Sequence, residues 1–324
     1  MNSNRLRAPG ALAVTVALTL TLAACGDSGG TGGGGSATAS SSKLSGTIKI
    51  DGSSTVAPLS EAAAEGFQSE NPGVRVTVGT SGTGGGFEKF CAGETDISDA
   101  SRAIEPEEDA ICKKAGITHG EVQVANDGLA IVVNKENDWA KCLTTDQLKK
   151  IWDKDSKVDN WNQVDPRFPD EELRLFGPGT DSGTFDYFTD AINGEEGRSR
   201  SDYNASEDDN VTVQGVSGTK GGLGYFGLSY YEENQDKLTV VQVDSGKGCV
   251  TPSKETVQSG EYAPLSRPLF IYPKTESLQR PEVKAYIEYY LQNEPTITEQ
   301  AKFVPLTPEQ KTEADQKVKA LAGQ

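Results

Sequence analysis

The sequence predicts an α/β fold with mainly parallel sheets, built as one compact two-lobed unit or as two domains. Three observations predict it. Strand-like and helix-like runs alternate along the chain, three consecutive strand-to-helix turns rich in Ser and Thr follow one another, and about 280 residues carry such signals without a repeat, enough to bury a real core.

Thr47 to Ile50 alternates like a strand, residues 51–55 (DGSST) form a polar turn, and Val56, Leu59, Ala63 and Phe67 recur at helical spacing. Val74, Val76 and Val78 alternate again and lead into a Gly-rich loop, residues 80–86 (TSGTGGG), that opens a short helix through Phe87 and Phe90. The third unit is a short strand at residues 96–98, the turn DASR at 99–102 and a helix at 107–114. Two strand-like runs, 122–125 and 129–133, precede a helix at 144–152 with Thr144 or Thr145 as its cap. Further on, 215–224 reads as a Gly-rich loop, and 223–226, 238–243 and 267–272 read as strands; the tail is helical at 282–292, 298–303 and 308–322.

Residues 176–188, FGPGTDSGTFDYF, form a fourth strand-to-helix turn. The first N–H groups of a helix have no intrahelical partner and point, with the positive end of the helix dipole, at whatever sits in the turn, so an anion fits there. The plainer alternative is that Asp181 or Ser182 caps an ordinary helix. In α/β folds ligands collect beyond the carboxyl ends of the strands, where all these turns fall.

The N-terminus reads as a leader. Arg5 and Arg7 precede an apolar run at 11–24 that is too short to span a bilayer, and Leu22-Ala23-Ala24-Cys25 resembles a lipobox. Residues 1–24 are then a signal peptide, Cys25 carries the lipid, and the rest of 25–43 is a Gly/Ser tether reaching about 20 to 25 Å. Four cysteines remain, an even number that argues for two disulfides in an exported chain. Three pairings exist, and proximity favours Cys91 with Cys112, which leaves Cys142 with Cys249. No CxxC occurs and His119 is the only histidine, so neither a metal nor any other cofactor is expected.

The formal charge is −17, or −19 once Arg5 and Arg7 leave with the leader. Nucleic acid and anionic membrane surfaces are thereby excluded as partners, leaving the lipid as the sole membrane contact. A desolvated anion site is still allowed, because distant exposed charges are screened beyond about 10 Å. The turns offer Ser53, Ser54, Thr55, Ser81, Thr83, Ser101, Ser182 and Thr184 as hydroxyl donors, with Arg102 as the one cation among them. Small hydroxyls, main-chain amides and one planar guanidinium suit a dehydrated tetrahedral oxyanion.

At these residues the chain resembles the phosphate-binding protein of the high-affinity phosphate ABC importer, the PstS-like family. The resemblance runs from about residue 48 to 305 and is carried by DGSST, SGTGGGFEKF (81–90), TDISDASR (95–102), DSGTF (181–185) and SRPLFIY (266–272). GPGTDSGTFDYF and CAGETDISDASR look closest to the branch that includes cyanobacterial phosphate-binding lipoproteins. The resemblance implies a type II periplasmic-binding-protein fold: two α/β lobes, each a mainly parallel sheet flanked by helices, joined by two crossover strands and closing over one inorganic phosphate. The expected lobes are 44–124 with 265–324, and 125–264. It implies a monomer, lipid-anchored on the outer face of the cytoplasmic membrane, that is no enzyme and delivers phosphate to ABC permease subunits.

Carried over motif by motif, the resemblance implies Ser54 and Thr55 from the first turn, Thr83 or Ser81 from the Gly-rich loop, and Ser182, Gly183 and Thr184 from the fourth turn. Two positions depart. Where better-known members place an Asp that accepts the proton of hydrogen phosphate, this chain has Ser101 followed by Arg102, and where an Arg stands four residues before the Ser, it has Pro178. Arg102 is then expected to supply the guanidinium, with Asp181 or Asp99 as the proton acceptor or as the partner that orients Arg102.

Competing readings are few. A single DSGT cannot build the two-carboxylate dyad of an aspartic protease, and His119 lies in a polar stretch unlike a triad base. No GxxxxGK[ST] or GxGxxG supports nucleotide binding. Glu207, Asp208 and Asp209 read as a solvated loop, with calcium the second reading. Arsenate, sulfate or molybdate binding is the alternative within the same class, and an exported phosphatase the alternative outside it.

Overall fold

The structure is a computed structural model that describes residues 43–323. The leader, Cys25 and nearly all of the tether lie outside the described residues. The chain runs β1 (Gly46–Gly52), α1 (Ala57–Glu70), β2 (Val74–Gly79), α2 (Gly82–Cys91), β3 (Ile97–Ala100), α3 (Pro106–Lys114) and the long β4 (Val122–Asn134). It continues through β5 (Cys142–Thr144), α4 (Thr145–Trp152), α5 (Trp161–Val164), β6 (Arg174–Gly177), α6 (Gly183–Phe188), β7 (Asn204–Ala205), α7 (Asp209–Ser217), β8 (Gly222–Gly227) and α8 (Leu228–Glu233). The last elements are β9 (Leu238–Val240), β10 (Gln242–Asp244), β11 (Cys249–Val250), α9 (Lys254–Gln258), β12 (Ser266–Pro273), α10 (Pro281–Gln292), α11 (Glu294–Gln300) and α12 (Pro308–Ala322).

One sheet has the order β2-β1-β3-β12-β4-β8-β6-β7, with β9 also on β4, and a small second sheet has the order β11-β10-β5. Strands β1, β2 and β3 are parallel, as are β6, β7 and β8 where they pair. Ile50 faces both Val78 and Ile97, so the three strands end together and bring their turns to one edge. Strands β12 and β4 run antiparallel to each other, and to β3 and β8 respectively.

These two strands carry the chain between two cores. The first half of β4 (Val122, Val124, Ala125) packs with Ile48, Ile50, α1 and α10; the second half (Leu129 to Val133) packs with Trp152, Phe188 and Tyr225. The sequence suggested two strands here, broken at Asn126-Asp127-Gly128. They form one strand because the polar break is satisfied inside the protein. Asn126 exchanges backbone hydrogen bonds with Val304 (2.8 and 2.9 Å), and Asp127 pairs with Arg267 (3.2 Å). Buried polar groups so partnered no longer oppose burial.

Three further expectations change. Of the expected 215–224 loop only 218–221 is a turn; 215–217 end α7 and 222–224 begin β8, Val213 and Val216 are buried, and Gly215 lies so close to Phe176 that a Cβ would stand 2.2 Å from its ring. Asp208 caps α7 by accepting from Asn210 N, so the acidic run is a helix start rather than a free loop. The 238–243 run is two short strands on different sheets, β9 and β10. Thr144 caps α4 in a capping box with Gln147. Both disulfides take the favoured pairing: Cys91–Cys112 ties α2 to α3, and Cys142–Cys249 staples the small sheet.

Candidate functional site

A cleft of about 830 Å3 opens at the edge where the turns gather. Residues 53–55 after β1, residues 81–84 opening α2, and residues 101–103 after β3 line one side. Gly183, Asp186, Tyr187 and Asp190 line the other, with Ser266 and Arg267 of β12 at the base.

In the first turn, the Ser53 carbonyl accepts from Val56 N (3.2 Å) and Ala57 N (3.0 Å), while Ser53 N donates to Asp99 O (2.9 Å). The Ser54 and Thr55 N–H groups are left without an acceptor among the described residues. In the second, Thr83 Oγ1 lies 3.0 Å from Ser101 Oγ and accepts from Ser101 N at 3.2 Å, so these two hydroxyls brace each other across the turns. Ser81 lines the cleft but its hydroxyl is held by Asp51. The glycines of this loop let α2 press on β1: a Cβ at Gly86 would stand 2.4 Å from Gly52 Cα.

In the fourth turn, α6 is six residues long and passes directly into a π-helical turn at Thr189–Asn193. Its apolar face is fixed by aromatic packing. Phe188 stacks on Tyr225 at 3.9 Å, and Trp152 meets both rings edge-on; such pairs add about 0.5 to 1.5 kcal/mol each beyond area burial. That packing presses Gly183 against the opposite lobe. A Cβ there would lie 2.4 Å from Thr55 Oγ1 and 3.1 Å from Thr55 N. Ser182 caps α6 by accepting from Thr184 N (3.2 Å), and neither Ser182 nor Thr184 lines the cleft. Asp181 is exposed, its N–H turned to Glu207, and it too lies off the cleft.

The expected cation is placed differently. Arg102 reaches the cleft wall, but its guanidinium grips Glu108 with two 2.8 Å hydrogen bonds and also bonds Ala103 O (3.1 Å). Its charge is already answered by α3. Arg267, which the sequence reading passed over, sits where both lobes meet. Its Nε donates to Asp127 Oδ2 (3.2 Å), an Nη donates to Thr55 Oγ1 (3.1 Å), and its Cζ lies 3.7 Å above the Tyr187 ring. Three of its five N–H donors have no acceptor among the described residues. Asp127 stands directly opposite Arg267 in the β4–β12 ladder; burial pushes its carboxyl up and Arg267 pulls it down. Beside them Ser266 Oγ is buried without a partner among the described residues. The signal that could have found this pair is a charged residue in each of two mainly apolar strand-like runs, Asp127 in VQVANDGLAIVV and Arg267 in SRPLFIY.

The acids divide by position. Asp99 shares its sheet face with Ile97 and turns into the core under α1, where Oδ1 accepts from Ser60 Oγ (2.9 Å) and Oδ2 has no partner among the described residues; burial raises its pKa to about 8. It faces away from the cleft, so it neither meets a ligand there nor orients Arg102. Asp186 does line the cleft, half-buried and with no side-chain partner among the described residues.

Residues 37–294 match the PBP superfamily domain. Protein SphX of Synechococcus elongatus is 48% identical over 276 residues, covering 84% of this chain and 81% of that one. The phosphate-binding protein PstS of Staphylococcus saprophyticus is 41% identical over 285 residues, covering 87% and 88%. The chain belongs to the PstS and SphX family of the PBP superfamily. A solved structure described as a possible phosphate binding protein from Planctomyces limnophilus shares 49% identity and superposes with a TM-score of 0.83, covering 86% of this chain and 99% of that one. The fold is accordingly the two-lobed type II form of this superfamily, with β4 and β12 as its two crossover strands.

Proposed function

We propose that the chain captures inorganic phosphate between its lobes and passes it to the permease of an ABC importer outside the cytoplasm. The observation that carries this reading is the convergence, around Arg267, of small hydroxyls and unpaired N–H groups from one lobe with the Gly183 helix start from the other, Arg267 itself having three donors unused among the described residues. Such a ring replaces the hydration shell of a tetrahedral oxyanion with fixed dipoles and one planar cation. Ser54, Thr55, Thr83, Ser101, Gly183 and Arg267 are assigned as its ligands. Arg102 braces the rim, and Ser81, Asp181, Ser182 and Thr184 support the turns. The names borne by the relatives point to the same anion.

The hinge is assigned to residues 125 and 265, giving lobes 44–124 with 265–324, and 125–264; the division of the β4 side chains between two cores supports it. Anchoring through Cys25, a monomeric state and the absence of catalysis complete the reading. Among the described residues no helix is long and apolar enough to cross a membrane.

The direct test is melting temperature with added anion. Binding only to the folded state adds about 2.7 kcal/mol at 100 times Kd, roughly 5 to 10 °C for a domain of this size. Phosphate is expected to give this shift and sulfate none; equal shifts, or none with phosphate, overturn the reading. Gly183→Ala supplies a second test. Its Cβ collides with Thr55 and holds the lobes apart, so phosphate affinity by calorimetry is expected to fall at least tenfold while the apo protein melts within a few degrees of the parent.

A further inference from the structure

We propose that Tyr187 is a positioning residue for the anion: its ring holds the Arg267 guanidinium flat, so that the unused N–H donors of the fork point edgewise into the cleft. The inference rests on the oxyanion reading above and deepens it.

Helix α6 carries three aromatic side chains, and they divide by face. Phe185 is buried, and Phe188 turns inward to stack on Tyr225 beside Trp152. Tyr187 is the one of the three that lines the cleft, one helical turn after Gly183 and so on the same face of the helix. Its ring meets a cation where Phe188 meets a ring. Arg267 Cζ stands 3.7 Å over the ring centre, well inside the roughly 6 Å at which an aromatic face attracts a guanidinium.

That distance sets the orientation of the fork. Turned edge-on at 3.7 Å, the guanidinium would press its nitrogens into the ring, so it lies flat against the face. All five N–H bonds then run parallel to the ring and pass its rim, and none is spent on the π face. Asp127 accepts one at 3.2 Å and Thr55 Oγ1 another at 3.1 Å. Both bonds are long, and alone they leave the plane free to rock; the ring removes that freedom. The fork is therefore ordered before an anion arrives, which lowers the entropy lost on binding. The ring also covers one face of a side chain that is only 17% exposed, and exclusion of water strengthens each hydrogen bond that the fork makes.

The ring is itself held at its far end. Tyr187 Oη donates to Pro264 O at 2.6 Å, and Pro264 stands three residues before Arg267 on the chain entering β12. One stretch of chain thus takes both the hydroxyl and the ring face. The plainer role, a core residue whose hydroxyl secures the chain before β12, depends on the hydroxyl; the positioning role depends on the face.

The experiment separates the two by phosphate titration calorimetry and thermal melting of the parent, Tyr187→Phe, Tyr187→Leu and Tyr187→Met. Phe keeps the face and deletes the hydroxyl. Leu and Met fill much of the space and delete the face, Met adapting to an irregular gap should Leu unfold the protein. Tyr187→Phe is expected to melt lower than the parent yet bind phosphate within about threefold of it, since the lost hydrogen bond lies outside the fork. The aliphatic variants are expected to bind at least about tenfold more weakly. NMR of protein labelled with 15N-arginine reads the stack without phosphate. The Arg267 Nε–H, identified by its loss in Arg267→Lys, is expected upfield in the parent and in Tyr187→Phe, where the ring shields it, and downfield in the aliphatic variants. A folded aliphatic variant with parental affinity or an unmoved Arg267 signal overturns the positioning role alone, as does a Tyr187→Phe defect as large as the aliphatic one. A parent that fails to bind phosphate overturns the oxyanion reading, and this role with it.

Discussion

Arg267→Ala is expected to lower phosphate affinity by about 2 to 5 kcal/mol, roughly 30- to 5,000-fold, because the anion loses a guanidinium with three donors unused among the described residues. The same change leaves Asp127 buried opposite an alanine, so part of the effect is expected as lost stability, partly relieved by protonation of Asp127. Calorimetry on Arg267→Ala and Arg267→Lys separates the two: Lys keeps the charge beside Asp127 but not the fork, and it restores stability more than affinity. Arg102→Ala is the control. Its guanidinium is spent on Glu108, and a loss of less than tenfold is expected. An Arg102→Ala defect larger than that of Arg267→Ala would reverse these roles.

The second large effect concerns Asp99 and the pH dependence of folding. Its pKa stands at about 8 in the folded protein against 3.8 as the ordinary value, chiefly from burial. Between these values the folded chain keeps a proton that the unfolded chain releases. The stabilising contribution is therefore complete below about pH 4, falls steadily as pH rises, and is gone above pH 8. Four pKa units correspond to about 5 kcal/mol. Asp99→Asn, which keeps an acceptor for Ser60 Oγ, is expected to remove this slope and to exceed the parent in stability at pH 8. Urea unfolding of both proteins at pH 5 and pH 8 measures the difference; parallel pH profiles would exclude a protonated Asp99.

The alternation of strand and helix, the three Ser/Thr-rich turns and the fourth at 176–188 were legible because each is local: periodicity and turn chemistry lie within a dozen residues. Thr55, Thr83, Ser101 and Gly183 gather as those turns imply. Helix α7 escaped because Gly215 and its valines argue against a helix locally, while packing on Phe176 and β8 decides the matter. The cation was misplaced for a related reason. Arg102 is adjacent to the turns in sequence, but its nearest carboxylate, Glu108, lies one helical turn into α3 and captures it. Arg267 and Asp127 are 140 residues apart, and only the β4–β12 register brings them opposite each other. Asp99 reads as a cleft residue in DASR until the alternation of β3 is fixed, and that alternation sends it inward.

The two strands that join the lobes have a mechanical consequence. When a pair of jaws swings about a pivot, displacement grows with distance from the pivot, and a point on the axle scarcely travels. Arg267 and Asp127 are cross-strand neighbours on that axle, whereas the hydroxyl turns ride on the jaws. Opening and shutting then sweeps the neutral donors through space around a nearly stationary charge. The costly part of the site, an ion pair withdrawn from water, is assembled once, when the chain folds, and stays assembled through every cycle of capture and release.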